Sequence, residues 1–470
     1  MSGDAAQELT EPAADPSLLI PLTIAAGFFM EGLDSTIIGT SLPQIAAAFH
    51  TPATAVAAGI TGYLLSLAIF IPAAGWFAER FGARRAYAAA TVIFTLGSVL
   101  CGLSSGPLEL VGARMLQGLG GAMMVPVGRL ILARSFPKDQ LIRAMSFMII
   151  PGLVGPMLGP VVGGWITTYA SWRWVFFINV PLGALSLAMT AVFLPSISGA
   201  PPARFDWRGF LLTAAGFAAL QLGLDSLSSP TGSPAAALAL GGAAAAALAL
   251  YVVHARRRPN AILDLSLLRL RVFAVAIGAG HLARMGMAAA PFLAPLLFQL
   301  GFGLSAFQSG LLTFAMAAGQ IVMRFGITAI LKRLGVRATL IAVTVAGAIM
   351  MAGMSRIGAA TPHMLVLAYL FIFGLLQSIL YSTVGALSFS GISAELASRA
   401  TTITAISQRL SMGMGVAISA FLLRLASRGG AVAARDFTPA FAVMALVLAS
   451  SALGFARLTG EDGRDLAPKD

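Results

Sequence analysis

The run LLIPLTIAAGFFMEGLDSTIIGTSL at residues 18–42 decides the class of fold. It is almost wholly apolar and long enough to cross a bilayer, which requires about 20 apolar residues in a helix. Two carboxylates, Glu31 and Asp34, nevertheless lie inside it, one helical turn apart. A charged side chain near the bilayer centre costs about 2.5–3.5 kcal/mol on insertion scales, so these acids should face protein or water. They are the first candidates for a functional site.

The rest of the composition is that of a membrane protein. Of 470 residues, 58% are hydrophobic and only 10% are charged, against about 25% in soluble domains. The net charge of +12 would suggest nucleic-acid binding in a soluble protein, but in a membrane protein it reflects the Lys and Arg excess of cytoplasmic loops. We therefore expect no nucleic-acid partner. Residues 1–17 carry no Lys or Arg, unlike the start of a cleaved signal peptide, and are expected to form a cytoplasmic tail.

Apolar runs of spanning length recur along the whole chain. They lie near residues 18–42, 53–77, 86–104, 107–132, 144–168, 174–194, 209–228, 234–253, 272–299, 306–330, 338–355, 362–389, 402–426 and 437–458. This pattern predicts an all-α polytopic membrane protein with about fourteen transmembrane helices. An even number of spans returns both termini to one side. One set of alternate loops holds most of the Lys and Arg, so the positive-inside rule places that side, and both termini, in the cytoplasm.

A weak internal repeat divides the chain into related halves. Residues 75–85 (GWFAERFGARR) join the second and third spans, and residues 333–337 (RLGVR) are a fainter copy between the tenth and eleventh. We therefore expect two six-helix bundles joined by a linker with two extra helices. The predicted boundaries are a cytoplasmic N-terminal tail at 1–17, bundles at 18–195 and 272–458, the linker at 196–271 and a cytoplasmic C-terminal tail at 459–470.

The sequence indicates neither an enzyme nor a primary pump. Its polar connections are too short to build a soluble catalytic domain, and no Lys follows a Gly as a phosphate-binding P-loop requires. Any transport must then draw on an ion gradient, a partner subunit or the gradient of the substrate itself. We expect no cofactor and no metal site.

Five motifs occur in the order typical of one transporter family. They are Leu33–Ile38 with Leu42-Pro43, Gly75–Arg85, Arg114–Ala122, the glycine and proline series from Gly152 to Gly164, and Ser171–Pro181. Together they resemble the fourteen-span drug/proton antiporters of the major facilitator superfamily, although Glu79 stands where the family usually has Asp. The stretch Gly121–Arg129 further resembles one group of multidrug-resistance proteins in that subfamily.

This resemblance implies a fold, a function and a cellular setting. The fold would be the major facilitator fold, with two six-helix bundles, an inserted helix pair, a midplane cavity and alternating access. The function would be proton-coupled antiport that exports small amphiphilic compounds or drugs, with the proton gradient as the energy source. The protein is expected to be a monomer in the bacterial inner membrane, and its partners are the small-molecule substrate, protons and the lipid bilayer.

The loop between the second and third spans is a gating candidate under the same resemblance. Its residues would form a charged latch that is made in one conformation and broken in the other. Membrane topology alone is the alternative explanation of its charges. The gating residues are Gly75, Glu79, Arg80, Gly82, Arg84 and Arg85.

The fifth span repeats glycine and proline along one face. Its gating candidates are Gly155, Pro156, Gly159, Pro160 and Gly163. Glycines let a neighbouring helix approach closely, and each proline removes a backbone donor and bends the helix. We expect a close-packed, bent seam that could seal the pathway against leak. Ordinary tight packing without a gating role is the alternative.

Arg114 is the pivotal cation of the first half. It lies about seven residues into the fourth span, or about 10 Å from the external boundary, and Asp34 lies at a matching depth in the first span. A buried Arg needs a carboxylate partner. We therefore predict an Asp34–Arg114 pair, with Gln117 one turn away on the same face.

The two acids of the first span are expected to carry protons. Glu31 should be the more exposed and less neutralised of the two, so Glu31 and Asp34 should titrate at different pH values. Protonation of Asp34 would free Arg114 and bias the inward/outward equilibrium. A rival interpretation is that both acids bind a cationic substrate directly, and a third is a static buried ion pair.

The second half places cations opposite these acids. Arg284 is expected to face the cavity, with His281 as a titrating neighbour one turn away. Because Arg284 and Arg409 would suit an anion, export of an organic anion or a metal-chelate complex is the alternative function. A non-transporting membrane sensor or scaffold is the distant alternative. The predicted substrate site consists of Glu31, Gln117, His281, Arg284, Gln377 and Tyr381.

Overall fold

The computed structural model describes residues 18–196, 205–228, 232–258 and 261–466, and within these ranges the regular structure is entirely helical. Fourteen segments of it are long and apolar enough to cross a membrane. The predicted all-α polytopic class is confirmed. The tail predicted at residues 1–17, and parts of the predicted linker and C-terminal tail, lie outside the described residues.

The membrane spans are numbered in chain order. They are span 1 (Leu19–Thr40), span 2 (Ala53–Phe81), span 3 (Ala83–Leu103), span 4 (Pro107–Ser135), span 5 (Arg143–Tyr169), span 6 (Trp174–Phe193), span 7 (Trp207–Ser228), span 8 (Pro234–Arg256), span 9 (Arg271–Gly301), span 10 (Ala306–Arg324), span 11 (Val336–Arg356), span 12 (His363–Leu387), span 13 (Glu395–Ser427) and span 14 (Ala434–Phe455). Shorter helices occur at Leu42–Ala48, Leu265–Arg269, Ile327–Leu334 and Arg464–Leu466. Because successive spans cross in opposite directions, span 1 begins and span 14 ends on the same face. That face is called here the termini face, and the other is called the opposite face.

Several spans differ in their bounds from the sequence prediction, and spans 10 and 13 show why. Span 10 ends at Arg324 and not near residue 330, because the chain turns at Gly326 and a separate helix follows at Ile327–Leu334. The helix of span 13 begins at Ala394, ahead of the predicted residue 402. Its first two turns contain Glu395 and Arg399, which a search for apolar runs excludes.

The spans form two bundles and one attached pair. In the first bundle, span 1 packs against span 5, and span 4 packs against spans 2 and 3. In the second, span 14 packs against spans 9 and 11, and span 10 packs against span 12. The bundles meet where span 5 contacts span 10 and where span 2 contacts span 13. Spans 7 and 8 pack against each other, and span 7 holds this inserted pair against spans 2 and 13. The predicted architecture is confirmed, whereas the residue boundaries of the bundles stay a prediction.

Gly82 and Gly335 make the same turn in the two halves. Gly82 separates spans 2 and 3 with φ 86° and ψ 137°, and Gly335 precedes span 11 with φ 75° and ψ 162°. Residues with a Cβ rarely adopt this region, so glycine fits both positions. The repeat between residues 75–85 and 333–337 therefore has a counterpart in backbone geometry.

Candidate functional site

Asp34 is completely buried in span 1, yet both of its carboxylate oxygens accept hydrogen bonds. Its Oδ2 lies 2.6 Å from Nη1 of Arg114. Its Oδ1 accepts from Nε2 of Gln117 at 2.8 Å and from Nδ2 of Asn179 at 2.9 Å. Spans 4 and 6 thus supply the cation and the donors without which a buried carboxylate would be costly.

Arg114 is buried as completely as Asp34. Its Nη1 also donates to Oε1 of Gln117 at 2.7 Å, and its Nε donates to the carbonyl of Gly59 at 3.4 Å. The carbon at the centre of the guanidinium lies 4.2 Å from the centre of the Tyr63 ring. The face of an aromatic ring attracts a cation electrostatically. Arg114 therefore connects span 2, as well as span 4, to the carboxylate of span 1.

The contact between Asp34 and Arg114 is the one that their matching depths predicted. Its role in proton coupling stays a prediction. Sequence reasoning missed Asn179 and Tyr63. Asn179 carries a detectable signal, because it is a polar residue in an apolar span and lies within the Ser171–Pro181 motif. Tyr63 carries none, since an aromatic residue in a membrane span is usually a packing residue.

Glu31 is paired across the two bundles. Its Oε1 lies 3.1 Å from Nη2 of Arg409 in span 13, and the hydroxyl of Tyr63 donates to the same oxygen at 3.5 Å. Glu31 is 8% exposed, against 0% for Asp34, so it is the more exposed of the two acids as expected. The second half of the chain supplies a cation to Glu31 that the sequence analysis did not foresee. The contacts of Glu31 are longer than those of Asp34, and the expectation that Glu31 is the less neutralised acid stays a prediction.

A cavity of about 340 Å³ lies between the bundles. Its wall is largely apolar, but Gln320, Gln377 and Tyr381 form a connected polar strip on it. Nε2 of Gln320 donates to Oε1 of Gln377 at 2.7 Å, and Nε2 of Gln377 donates to the hydroxyl of Tyr381 at 3.2 Å. An apolar concave site with a few converging polar groups is typical of small-molecule binding.

Two of the predicted cavity residues lie behind this wall. His281 and Arg284 are absent from the described lining of the cavity, so the expectation that Arg284 faces it is not met. Arg284 is buried in span 9, and its Nη1 has no hydrogen-bond partner among the described residues. Nδ1 of His281 lies 3.3 Å from the hydroxyl of Ser407. Arg324 and Arg409 are instead the charged residues of the described lining.

The predicted substrate residues thus fall into three groups. Gln377 and Tyr381 share the cavity wall, Glu31 and Gln117 belong to the ion-pair networks of span 1, and His281 and Arg284 form a third group in span 9. Across the described parts of the chain, no three His, Cys, Asp or Glu side chains come together as a metal site would require.

The glycines of span 5 face span 1. A Cβ at Gly155 would lie 2.6 Å from the carbonyl oxygen of Phe29, and a Cβ at Gly163 would lie 2.5 Å from that of Ile37. Between them Gly159 faces the side chain of Thr36. Such distances leave no room for a side chain. The close packing expected of this face is present, and its partner is the helix that carries Asp34.

The prolines of span 5 form part of the cavity wall. Pro160 has no N–H to donate to the carbonyl of Pro156, and the hydroxyl of Thr36 donates to that carbonyl instead at 3.1 Å. Both prolines line the cavity. On the side of the second bundle, Gly310 of span 10 lies so close to the carbonyl of Pro160 that a Cβ would not fit there. Span 5 therefore contacts both bundles next to the cavity.

The loop between spans 2 and 3 makes a contact within the first bundle. Arg84 donates to the carbonyl of Ala191 near the end of span 6. Glu79 forms no ion pair with any described residue. The expected latch is therefore not made through Glu79 in this conformation. The remaining loop residues Gly75, Arg80 and Arg85 are exposed.

Polar contacts join the bundles at the opposite face. Gln44 follows span 1, and its Nε2 donates to Oε1 of Gln299 at 3.0 Å. Gln299 in turn donates to the carbonyl of Thr40 at 2.9 Å. The backbone N–H of Phe307, at the start of span 10, donates to the hydroxyl of Thr168 at 3.0 Å. These contacts tie the ends of spans 1 and 5 to the second bundle.

The amino-acid sequence matches a known family of transporters. Residues 24–416 match the sequence profile of the Major Facilitator Superfamily. The chain belongs to the major facilitator superfamily. A relative named as the multidrug resistance protein MdtD of Cronobacter sakazakii is 39% identical over 443 residues, which is 93% of each chain. The MdtD protein of Pectobacterium carotovorum is 37% identical over 93% of this chain and 95% of its own. The likeness of Gly121–Arg129 to one multidrug-resistance group is thereby confirmed.

Solved structures of the superfamily share the fold. A D-xylose-proton symporter superposes with a TM-score of 0.67 at 15% identity, covering 94% of this chain and 98% of that one. The POT family transporter PepTSo superposes with a TM-score of 0.69 at 15% identity, covering the same shares. As a major facilitator, this chain is a multi-pass membrane transporter and not an enzyme.

Proposed function

We propose that this transporter exports small amphiphilic compounds, including drugs, in exchange for protons and by alternating access. The observation that carries the proposal is two carboxylates one turn apart on span 1. Asp34 is paired with Arg114 within the first bundle, and Glu31 is paired with Arg409 across the bundles. Protonation of either acid would remove one charge of an ion pair. The names of the MdtD relatives, multidrug resistance proteins, agree with this substrate class.

Each proton would change a different contact. A proton on Asp34 releases Arg114, which then keeps Gln117 and the Gly59 carbonyl as acceptors. A proton on Glu31 weakens the tie between spans 1 and 13. A ligand shifts a conformational equilibrium only by its differential affinity for the two states. Coupling therefore requires the proton affinities of Asp34 and Glu31 to differ between the two conformations. Span 5 and the loop between spans 2 and 3 are the proposed gates.

The proposed orientation places the termini face in the cytoplasm of a bacterium, with the protein in the inner membrane. The Arg-rich loops support this orientation by the positive-inside rule. The cavity lining reaches Arg324 at the termini-face end of span 10, while polar contacts join the bundles at the opposite face. A substrate would then enter this conformation from the cytoplasm. We further propose a monomer that uses no cofactor and draws its energy from the proton gradient.

Transport in proteoliposomes with an imposed pH gradient tests the coupling. The probes are a panel of lipophilic cationic and anionic dyes. We expect the native protein to move at least one dye in response to the gradient, and Asp34→Asn and Glu31→Gln each to lose that movement. Glu395→Gln removes an exposed acid outside both networks and is the matched control. The coupling scheme is wrong if both span 1 variants move the dye at the native rate. If no dye moves under any gradient, a sensor or scaffold role gains support over transport of this substrate class.

Export of an organic anion or a metal-chelate complex is the second candidate function. It is favoured by Arg324, a cation of the described cavity lining that forms no ion pair with any described residue. The other arginine of that lining, Arg409, is paired with Glu31. Displacement of a bound dye distinguishes the candidates. Competition by carboxylates that is weakened in Arg324→Gln, but not in Arg284→Gln behind the wall, would favour the anion. Competition by lipophilic cations would favour the first proposal.

A further inference from the structure

A second cavity lies at the termini face, away from the central one. Its volume is about 950 Å³, and it is formed by the end of span 8, the segment after it and the beginning of span 13. All three elements contribute arginines to its lining, and apolar side chains such as Val252 and Leu268 lie between them. These arginines are Arg256, Arg258, Arg269 and Arg399.

The wall of this basic cavity is held in place by specific hydrogen bonds. The hydroxyl of Tyr251 in span 8 donates to the carbonyl of Leu263 and accepts from its N–H, both at 2.8 Å. Asp206, just before span 7, accepts from the N–H of Ile262 at 3.3 Å and lies 2.8 Å from Nε2 of His254. Ile262 and Leu263 are therefore fixed against the inserted pair at the wall of the cavity.

Among the residues that the structure describes, one carboxylate lies in the basic cavity beside its four arginines. Asp264, the carboxylate in the described lining, already lies 2.7 Å from Nη1 of Arg399. The other arginines, Arg256, Arg258 and Arg269, form no ion pair with any described residue. The positive-inside rule explains why arginines lie at this face. It does not explain why four of them, from three separate elements, converge on one cavity.

We propose that the basic cavity binds the headgroup of an anionic phospholipid. It lies where spans 8 and 13 reach the membrane boundary, and guanidinium groups bind phosphate oxygens with two parallel hydrogen bonds. Leu268 and Leu270, which are 41% and 43% exposed, offer apolar surface beside it for the acyl chains. Basic pockets between membrane helices at the headgroup level are suited to such lipids. The bound lipid would join the inserted pair to the second bundle.

Native mass spectrometry of the purified full-length protein tests this site. The probes are phosphatidylglycerol, cardiolipin, zwitterionic phosphatidylcholine and inorganic phosphate. The variant R256Q/R258Q/R269Q removes the three unpaired charges and keeps the Arg399–Asp264 pair. The matched control R257Q/R333Q/R337Q removes the same charge from exposed positions outside the cavity lining.

The native protein and the control are expected to retain the two anionic lipids in preference to phosphatidylcholine. The cavity variant is expected to bind them on the order of a hundredfold more weakly. Equal retention by the cavity variant and the control would overturn the proposal, as would equal retention of phosphatidylcholine. Binding of inorganic phosphate alone, without retention of the anionic lipids, would also overturn it and indicate a site for a free anion.

Discussion

The carboxylates of Asp34 and Asp462 differ in the cations and hydrogen-bond donors that surround them. Asp34 is enclosed by one arginine and two amides inside the membrane. Asp462 lies beyond the last span, where it accepts two hydrogen bonds from Nη2 of Arg271 at 2.8 Å and one from the N–H of Thr459 at 2.6 Å. Burial opposes ionisation of Asp462, but these interactions outweigh it and hold the pKa of Asp462 below its ordinary value.

The lowered pKa gives the stability of this terminal segment a defined pH dependence. The ionised carboxylate stabilises the fold above the ordinary aspartate pKa of about 4, and that contribution is lost as the pH falls through the lower pKa of the folded state. We expect Asp462→Asn to lower the local stability at pH 7 by up to about 1 kcal/mol, because Arg271 is half-exposed and the pair is screened.

Hydrogen exchange of the Thr459 amide measures this effect. Protection in Asp462→Asn should be weaker than in the native protein at pH 7 and should converge with it once acid protonates Asp462. Glu461→Gln, at an exposed neighbouring side chain, is the control and should leave the protection unchanged. A difference between Asp462→Asn and the native protein that persists undiminished in acid would show that charge is not its cause.

The residues of the site differ in how far the sequence reveals them. Asp34 in span 1 and Arg114 in span 4 could be paired because they lie at the same depth in the membrane. Both residues belong to one bundle, and the directions of their helices follow from the order of the spans. The partner of Glu31 is Arg409, 378 positions away in the other bundle. That pairing depends on how the bundles are placed against each other, which no local pattern encodes.

At the scale of elements, the packing of span 5 on span 1 has a sharp steric limit. A methyl group at Gly155 would lie 2.6 Å from the carbonyl oxygen of Phe29 and 2.9 Å from the backbone nitrogen of Leu33. Both are backbone atoms, so they cannot move aside as a flexible side chain would. We expect Gly155→Ala to destabilise the transporter by about 1–3 kcal/mol through overpacking.

Thermal unfolding of the detergent-solubilised protein checks this expectation. Gly278→Ala in span 9 is the matched control, because a Cβ there would meet no atom within 4 Å, and it should leave the melting temperature unchanged or raise it slightly. The steric argument fails if Gly155→Ala melts at the same temperature as this control.

The glycines of span 5 show what a sequence pattern can predict about helix packing. The spacing of glycines in span 5 predicted a smooth face and close packing, and both are present. It could not name the partner helix. Spans 1 and 5 lie next to each other because of the bundle topology, and Thr36 reaches the carbonyl of Pro156 across 120 positions of sequence.

The two bundles of the whole molecule are joined at the opposite face by the hydrogen bond between Gln44 and Gln299. Alternating access requires such contacts to separate. A short thiol-reactive cross-linker with a reducible bond can link Gln44→Cys to Gln299→Cys. We expect this link to stop dye movement in the cross-linked fraction. A reductant that cleaves the link should restore the movement. The native Cys101 is buried and should not react.

A pair within one bundle provides the control for the cross-link. Ser41 directly follows span 1 and Thr167 lies in span 5, which packs against span 1 in the first bundle. Their hydroxyls lie 2.7 Å apart at the same face. Linking Ser41→Cys to Thr167→Cys should leave dye movement intact, because it joins two segments that already pack together within one bundle. Full transport with Gln44→Cys and Gln299→Cys linked would show that this face does not open.

Hydropathy and charge were sufficient for the architecture of the whole molecule, since the cost of exposing polar backbone to lipid leaves helices as the solution for such runs. They were not sufficient for its conformation. Two arrangements of the same bundles differ by only a few kcal/mol, and the interactions that decide between them are pairs such as Glu31 with Arg409, which connect distant parts of the sequence.

The hydrogen bond from Thr36 to the carbonyl left free by Pro160 has a mechanical consequence. It joins span 1 to span 5 two residues from Asp34. A movement of the carboxylate would therefore also move the proline-lined wall of span 5. Pro156 lies 13 residues, or about 20 Å, from Arg143 at the end of span 5. A small rotation of the joined helices near Asp34 would be magnified along that length. Protonation of Asp34 would thus displace the end of span 5 that lies at the termini face.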